Sequence, residues 1–282
     1  MGKLLKASLL LIISSYSLFA QCSDAGVCAI GSEHAALKHQ IGMSYLFGAS
    51  GKPDDIVYHL VQLEAGLQLL PASRVTLLLP WVPRISGPLG STSGLGDLIL
   101  LWNQGVWGRE GEQINIQIGA KLATGSVNSG SLPQSYQPGL GTNDLLLGVT
   151  YQMDPWLFAL GYQLSRGRSD NAVTRLKRGD DFLGRIGYTM PLEKFVVGLE
   201  VLAIKRLQES SILDTTGEGT DSFVDVPGSD QLQVNLLGRV ELPIDQSFTV
   251  RSFVALPLRD RSVNVDGLKR SLSLSLGVLY TL

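Results

Sequence analysis

The chain offers only three histidines, His34, His39 and His59, to act as bases near neutral pH. His34 and His39 stand near the N-terminus. His59 is followed by Leu60 and Val61, so it lacks the nearby serine that a membrane-facing lipid hydrolase would need. Gly94-Leu95-Gly96 precedes no helical pattern and is no dinucleotide signature. These residues predict no catalytic group, no cofactor and no metal site. What remains is charge. Glu64, Arg74, Asp97, Lys121, Arg185, Glu200, Arg239, Glu241 and Arg251 each alternate with large apolar residues. Such spacing puts charges on one face of a strand and hydrocarbon side chains on the other.

The elements that must carry this pattern are exported. Lys3 and Lys6 begin a basic stretch, Leu9 to Ile13 are apolar, and Ala20 closes a cleavage pattern, so residues 1–20 read as a signal peptide. Residues 21–37 form a short N-terminal segment, with Gln21 the first mature residue. Gln21 before Cys22 is a poor lipidation site. In an oxidising compartment Cys22 and Cys28 predict a local disulfide, since one isolated pair is a weak metal signature. A net charge of −2 without a basic stripe excludes nucleic acid as a partner.

From residue 38 to 282 the chain divides into about twelve alternating segments of about 10–13 residues, long enough to cross a bilayer as tilted strands. Leu272, Leu274, Leu276, Val278, Tyr280 and Leu282 alternate with Ser271, Ser273, Ser275, Gly277 and Thr281. The other segments are predicted near 38–48, 56–69, 74–84, 95–106, 112–124, 142–152, 156–166, 181–190, 194–206, 230–242 and 247–258. Short connections alternate with long ones. Residues 70–73, 107–111, 153–155, 191–193 and 243–246 are short, whereas 49–55, 85–94, 125–141, 167–180, 207–229 and 259–267 are long or loop-like. This is the plan of an all-β, up-and-down transmembrane barrel with both ends on the periplasmic side. Trp107, Tyr151, Trp156, Tyr188, Phe195, Phe248 and Tyr280 cluster near the short turns and predict an interfacial girdle. Ser275, Gly277, Tyr280 and Leu282 resemble the C-terminal assembly signal of outer-membrane proteins. The expected partners are therefore outer-membrane lipid, the assembly machinery and a small solute.

Between Gly94 and Gln152 three runs carry a resemblance. They are Gly94-Leu95-Gly96-Asp97-Leu98, Ala123-Thr124-Gly125-Ser126 and Pro138-Gly139-Leu140-Gly141-Thr142-Asn143-Asp144. They resemble the meta-pathway phenol-degradation family, a transporter-like group of barrels distantly similar to long-chain fatty acid channels. The resemblance implies passage of small or hydrophobic solutes. Asp97 and Asp144 hold equivalent places in it and are expected to cap loops.

Counting across the short turns sets Arg185 opposite Glu200, Asp97 diagonal to Lys121, and Arg239 opposite Arg251. The lumen candidates are Glu64, Lys121, Arg185, Glu200, Arg239, Glu241 and Arg251. Two readings stay open for them. One is a self-neutralising network that stiffens the barrel; the other is a solute path in which Arg239 and Arg251 attract anions. The acidic segment 207–229 leaves a third, a surface protein acting through its loops.

Overall fold

Along residues 271–282 the predicted alternation is the geometry of the wall. Leu274, Leu276, Val278 and Tyr280 are exposed on the outside, while Ser273, Gly277 and Leu279 are buried inside. The computed structural model describes residues 26–32, 38–51, 55–216, 222–263, 265–266 and 271–282. The signal peptide, Cys22 and His34 lie outside the described residues, and the expected disulfide falls there with them.

Strands β1 (Gln40–Ala49), β2 (Val57–Leu70), β3 (Ser73–Gly87), β4 (Gly90–Leu95) and β5 (Leu98–Arg109) begin the wall. β6 (Glu112–Leu122), β7 (Asn143–Met153), β8 (Trp156–Arg166), β9 (Asp181–Pro191) and β10 (Val196–Arg206) continue it. A small hairpin of β11 (Ser211–Leu213) and β12 (Phe223–Asp225) stands in the next loop. β13 (Leu232–Pro243), β14 (Phe248–Arg259) and β15 (Leu272–Thr281) complete the circuit. β15 pairs with β1 from Gln40↔Thr281 to Ala49↔Leu272, which closes the sheet. β4 and β5 lie in line along one edge of β3, so the closed wall has twelve antiparallel staves.

The outer face is apolar around the whole circumference. Met43, Leu67, Leu100, Ile116, Leu160, Ile186, Leu199 and Leu276 all lie exposed on it. Water would make such a face unstable; the hydrocarbon of a bilayer suits it. At the short-turn end the predicted girdle forms. Trp156 meets Tyr188 with ring centroids 4.9 Å apart, and Phe248 meets Tyr280 at 5.1 Å.

Three sequence expectations change. Residues 85–94 are not a loop: β3 and β4 extend the wall as a hairpin turning at Pro88 and Leu89. Ser91 and Thr92 pair as strand there, and Gly90 takes the positive φ (143°) that the tight turn needs. Register also differs. Arg185 faces Leu202 and Glu200 faces Gly187, because the turn between β9 and β10 runs to Phe195, whose carbonyl accepts from the Leu192 N–H. Arg239 faces Phe253, and Glu241 faces Arg251. The turn after β13 is longer than the count assumed, with Ile244 N–H bonded to the Phe248 carbonyl, so the repulsive arginine pair does not form.

Candidate functional site

Reading inward positions along one strand gives the lumen its layers. In β10, from turn to loop, Glu200, Leu202, Ile204 and Arg206 are buried inside. In β9 the same order is Arg185, Leu183, Asp181. An apolar layer thus separates two charged ones.

The layer nearest the turns is a polar chamber of about 470 Å³. Glu64, Arg185, Glu200, Arg239, Glu241 and Arg251 all line it, together with Arg74. Arg251 Nη2 donates to Glu64 Oε2 at 2.9 Å, and Arg239 Nη1 to Glu241 Oε1 at 2.7 Å. Arg185 Nη1 reaches Glu200 Oε2 at 3.2 Å, diagonally rather than directly across the strands. Six of the seven lumen candidates therefore share one cavity. Lys121 does not belong to it.

The middle layer is apolar. Leu101, Leu146, Leu183, Leu202, Ile204, Leu237 and Ala255 are buried together. At its centre sits Ile30, from the N-terminal segment. Residues 26–32 enter the barrel from the turn end, and Ile30 is fully buried. Two wall glycines make the seat. Gly148 and Gly161 face each other across β7 and β8, and a Cβ on Gly148 would come within 2.5 Å of Ile30 Cγ2. The segment is also pinned by polar contacts. Gly31 N–H donates to Gln117 Oε1 at 2.9 Å, and Arg185 Nη2 donates to the Cys28 carbonyl at 2.7 Å.

The loop-end layer is a buried ion network. Lys121 bridges Asp97 (3.3 Å) and Asp144 (3.1 Å). Arg178 reaches Asp144 (3.9 Å), Asp181 (2.5 Å) and Asp266 (3.0 Å). Arg206 joins Asp181 (3.3 Å) to Asp266 (2.7 Å), and Arg261 adds a further bond to Asp181 (3.2 Å). Four carboxylates balance four cations, which is the condition for burying them. Because Arg178, Arg261 and Asp266 lie in loops, the network ties those loops over the mouth. Asp97 is the loop cap the sequence suggested: it accepts from the N–H groups of Gly125 (3.1 Å), Leu140 (2.7 Å) and Gly141 (3.2 Å). Tyr136, on the same loop, is buried against Ile56, Tyr58, Val82 and Ile85. His59 lies apart from all this, its Nδ1 bonded to the Tyr45 hydroxyl at 2.5 Å.

No protein-family profile matches the sequence, and no curated protein is similar to it. Solved structures are. An outer-membrane channel from Pseudomonas putida F1 superposes with a TM-score of 0.64 at 16% identity, covering 89% of this chain and 97% of that one. The NanC porin gives a TM-score of 0.50 at 8% identity, over 86% of this chain and 100% of that one. At such identities the likeness is one of fold: a closed outer-membrane-type barrel.

Proposed function

We propose that this chain is an outer-membrane channel for small or hydrophobic solutes, held shut by its own N-terminal segment. The observation that carries the reading is the stopped chamber. A polar cavity of about 470 Å³ is lined in part by Ser32, and two residues earlier Ile30 fills the apolar layer against Gly148 and Gly161. Barrels of about eight strands fill their interior with side chains; twelve strands leave more room, and here Ile30 and its neighbours occupy it. The fold it shares with a Pseudomonas putida outer-membrane channel is consistent with this. So is the resemblance of residues 94–152 to the meta-pathway phenol-degradation family, which implies small or hydrophobic solutes.

In this reading the short turns and both chain termini face the periplasm, and the loops face outward. A cysteine at Ser131 should then react with an impermeant reagent on intact cells, and one at Glu193 should not; the reverse result inverts the barrel. The ion network across the mouth favours the second reading, a non-conducting barrel acting through its loops. Flux decides between them. Liposomes carrying the protein should take up small solutes such as benzyl alcohol or short sugars faster than empty liposomes. Uptake no faster than in empty liposomes, for the wild type and for variants that unseat Ile30, would leave the loop-acting barrel.

A further inference from the structure

Toward the loops, the outer face of β2, β3 and β4 changes from apolar to polar over a short step. Leu63, Trp81 and Leu95 are exposed below it, and Ser91 and Ser93 are exposed above it on β4. At the step stand His59 of β2 and Arg84 of β3, paired directly across the strands. Such partners share a face, with Cβ atoms about 4.5–5.5 Å apart. The face is the outer one, because His59 Nδ1 bonds the hydroxyl of the exposed Tyr45 at 2.5 Å and its ring meets Phe47 edge-on. Arg84 is exposed there. The outward neighbours of the pair are Tyr45, Phe47, Val57, Val61, Trp81 and Ser86, and none is acidic. The nearest acids along β2 are Asp55 in the loop and Glu64, which lines the chamber inside. An arginine on the lipid face is costly at mid-bilayer and tolerated at the headgroups, so the pair marks that level. An anion for it must come from the membrane.

We propose that Arg84 and His59 form an outer-wall site for a lipid phosphate, that of the acylated glucosamine of lipopolysaccharide in the outer leaflet. A guanidinium binds phosphate oxygens as a planar fork, and its charge does not depend on pH. A neutral His59 that accepts from the Tyr45 hydroxyl keeps its proton on Nε2, a second donor beside the guanidinium. Trp81 supplies the amphipathic ring that settles at headgroup level. Below it the exposed Leu63 and Leu67 give acyl chains an apolar wall to lie along. The site goes beyond the channel reading and takes from it only the orientation, with the loops outward. It does not need the barrel to conduct.

The test is equilibrium binding to the whole protein in detergent, with bisphosphorylated lipid A as probe and dephosphorylated lipid A as its counterpart. Wild type should bind the phosphorylated lipid about tenfold or more tightly, the factor expected of a charge-assisted bond. Arg84→Gln should remove that preference and leave binding of the dephosphorylated lipid unchanged. Arg84→Lys should keep part of it, since an ammonium still attracts phosphate as a point charge. Lys177 is an exposed cation of the loops, and Lys177→Gln should bind as wild type does. Equal binding of the two lipids, a preference that survives Arg84→Gln, or an equal loss in Lys177→Gln overturns the proposal. So does inorganic phosphate that displaces lipid A at equal concentration, which would make this a site for the free ion. Flux and labelling separate the site from the channel reading. Failed solute uptake removes the channel and leaves the site standing. Labelling on intact cells at Glu193 instead of Ser131 puts the site in the inner leaflet and overturns the lipopolysaccharide assignment.

Discussion

Replacing Gly148 with valine should raise the conductance of the barrel in planar bilayers by about tenfold or more. The new Cβ would lie within 2.5 Å of Ile30 Cγ2, a separation that packed carbons do not adopt. β7 is held on both sides by β6 and β8, so the wall cannot yield, and the N-terminal segment must. Overpacking a matched apolar slot destabilises the seated state by about 1–3 kcal/mol, and about 1.4 kcal/mol is enough for a tenfold shift in the seating equilibrium. Gly184 is the control. A Cβ there meets nothing within 4 Å, and Gly184→Ala should conduct as wild type does. If Gly148→Val and wild type conduct alike, Ile30 is not the closure.

The second large effect concerns the mouth. Arg206 is fully buried between Asp181 and Asp266. Arg206→Met keeps the volume and removes the charge, leaving two buried carboxylates short of a partner. Breaking a buried network in this way costs about 3–5 kcal/mol. Heat-induced unfolding, followed by gel mobility, should move to lower temperature, and the loop at 260–266 should be cut faster by added protease. An unchanged cutting rate would mean that the network does not hold the loops. Acid should act on the same layer. Burial by itself would raise the pKa of Asp266, but the guanidiniums of Arg206, Arg178 and Arg261 outweigh it and hold the carboxyl well below its usual range. A group whose folded value is depressed stabilises the fold above its unfolded value of about 4 and loses that contribution as pH falls further. Loop protection should therefore be constant from neutral pH down to about pH 4 and decline below it.

Much of the wall was legible in the sequence because its cause is local. A strand with hydrocarbon on one side must alternate with period two, and Leu272 to Leu282 state that without ambiguity. The inward charges were legible for the same reason. Their partners were not. A two-residue slip in register keeps every side chain on its face, so Arg185 and Glu200 were found together even though the count across the turn was wrong. The same slip turned Arg239 from a neighbour of Arg251 into a partner of Glu241. The ion network was hidden because Arg178, Arg261 and Asp266 lie in loops, where nothing periodic separates a buried charge from a solvated one. The closure was hidden for a different reason. Gly26 to Ser32 reads as a linker, and only the facing glycines Gly148 and Gly161 hint that something fills the space inside.

The central claim is that Ile30 closes the lumen by sitting against the wall, and a reversible lock tests it most directly. A Cβ built on Gly161 lies 3.4 Å from Ile30 Cβ, close to the separation of about 3.5–4.5 Å across a disulfide. Ile30→Cys with Gly161→Cys, in a chain where Cys22 and Cys28 are serine, should form that bond on oxidation. Single-channel recording should then show conductance at the level of an empty bilayer, rising well above the oxidised level when dithiothreitol is added. A bond that forms in full yield while conductance stays the same before and after reduction would contradict the claim, as would two cysteines that never meet.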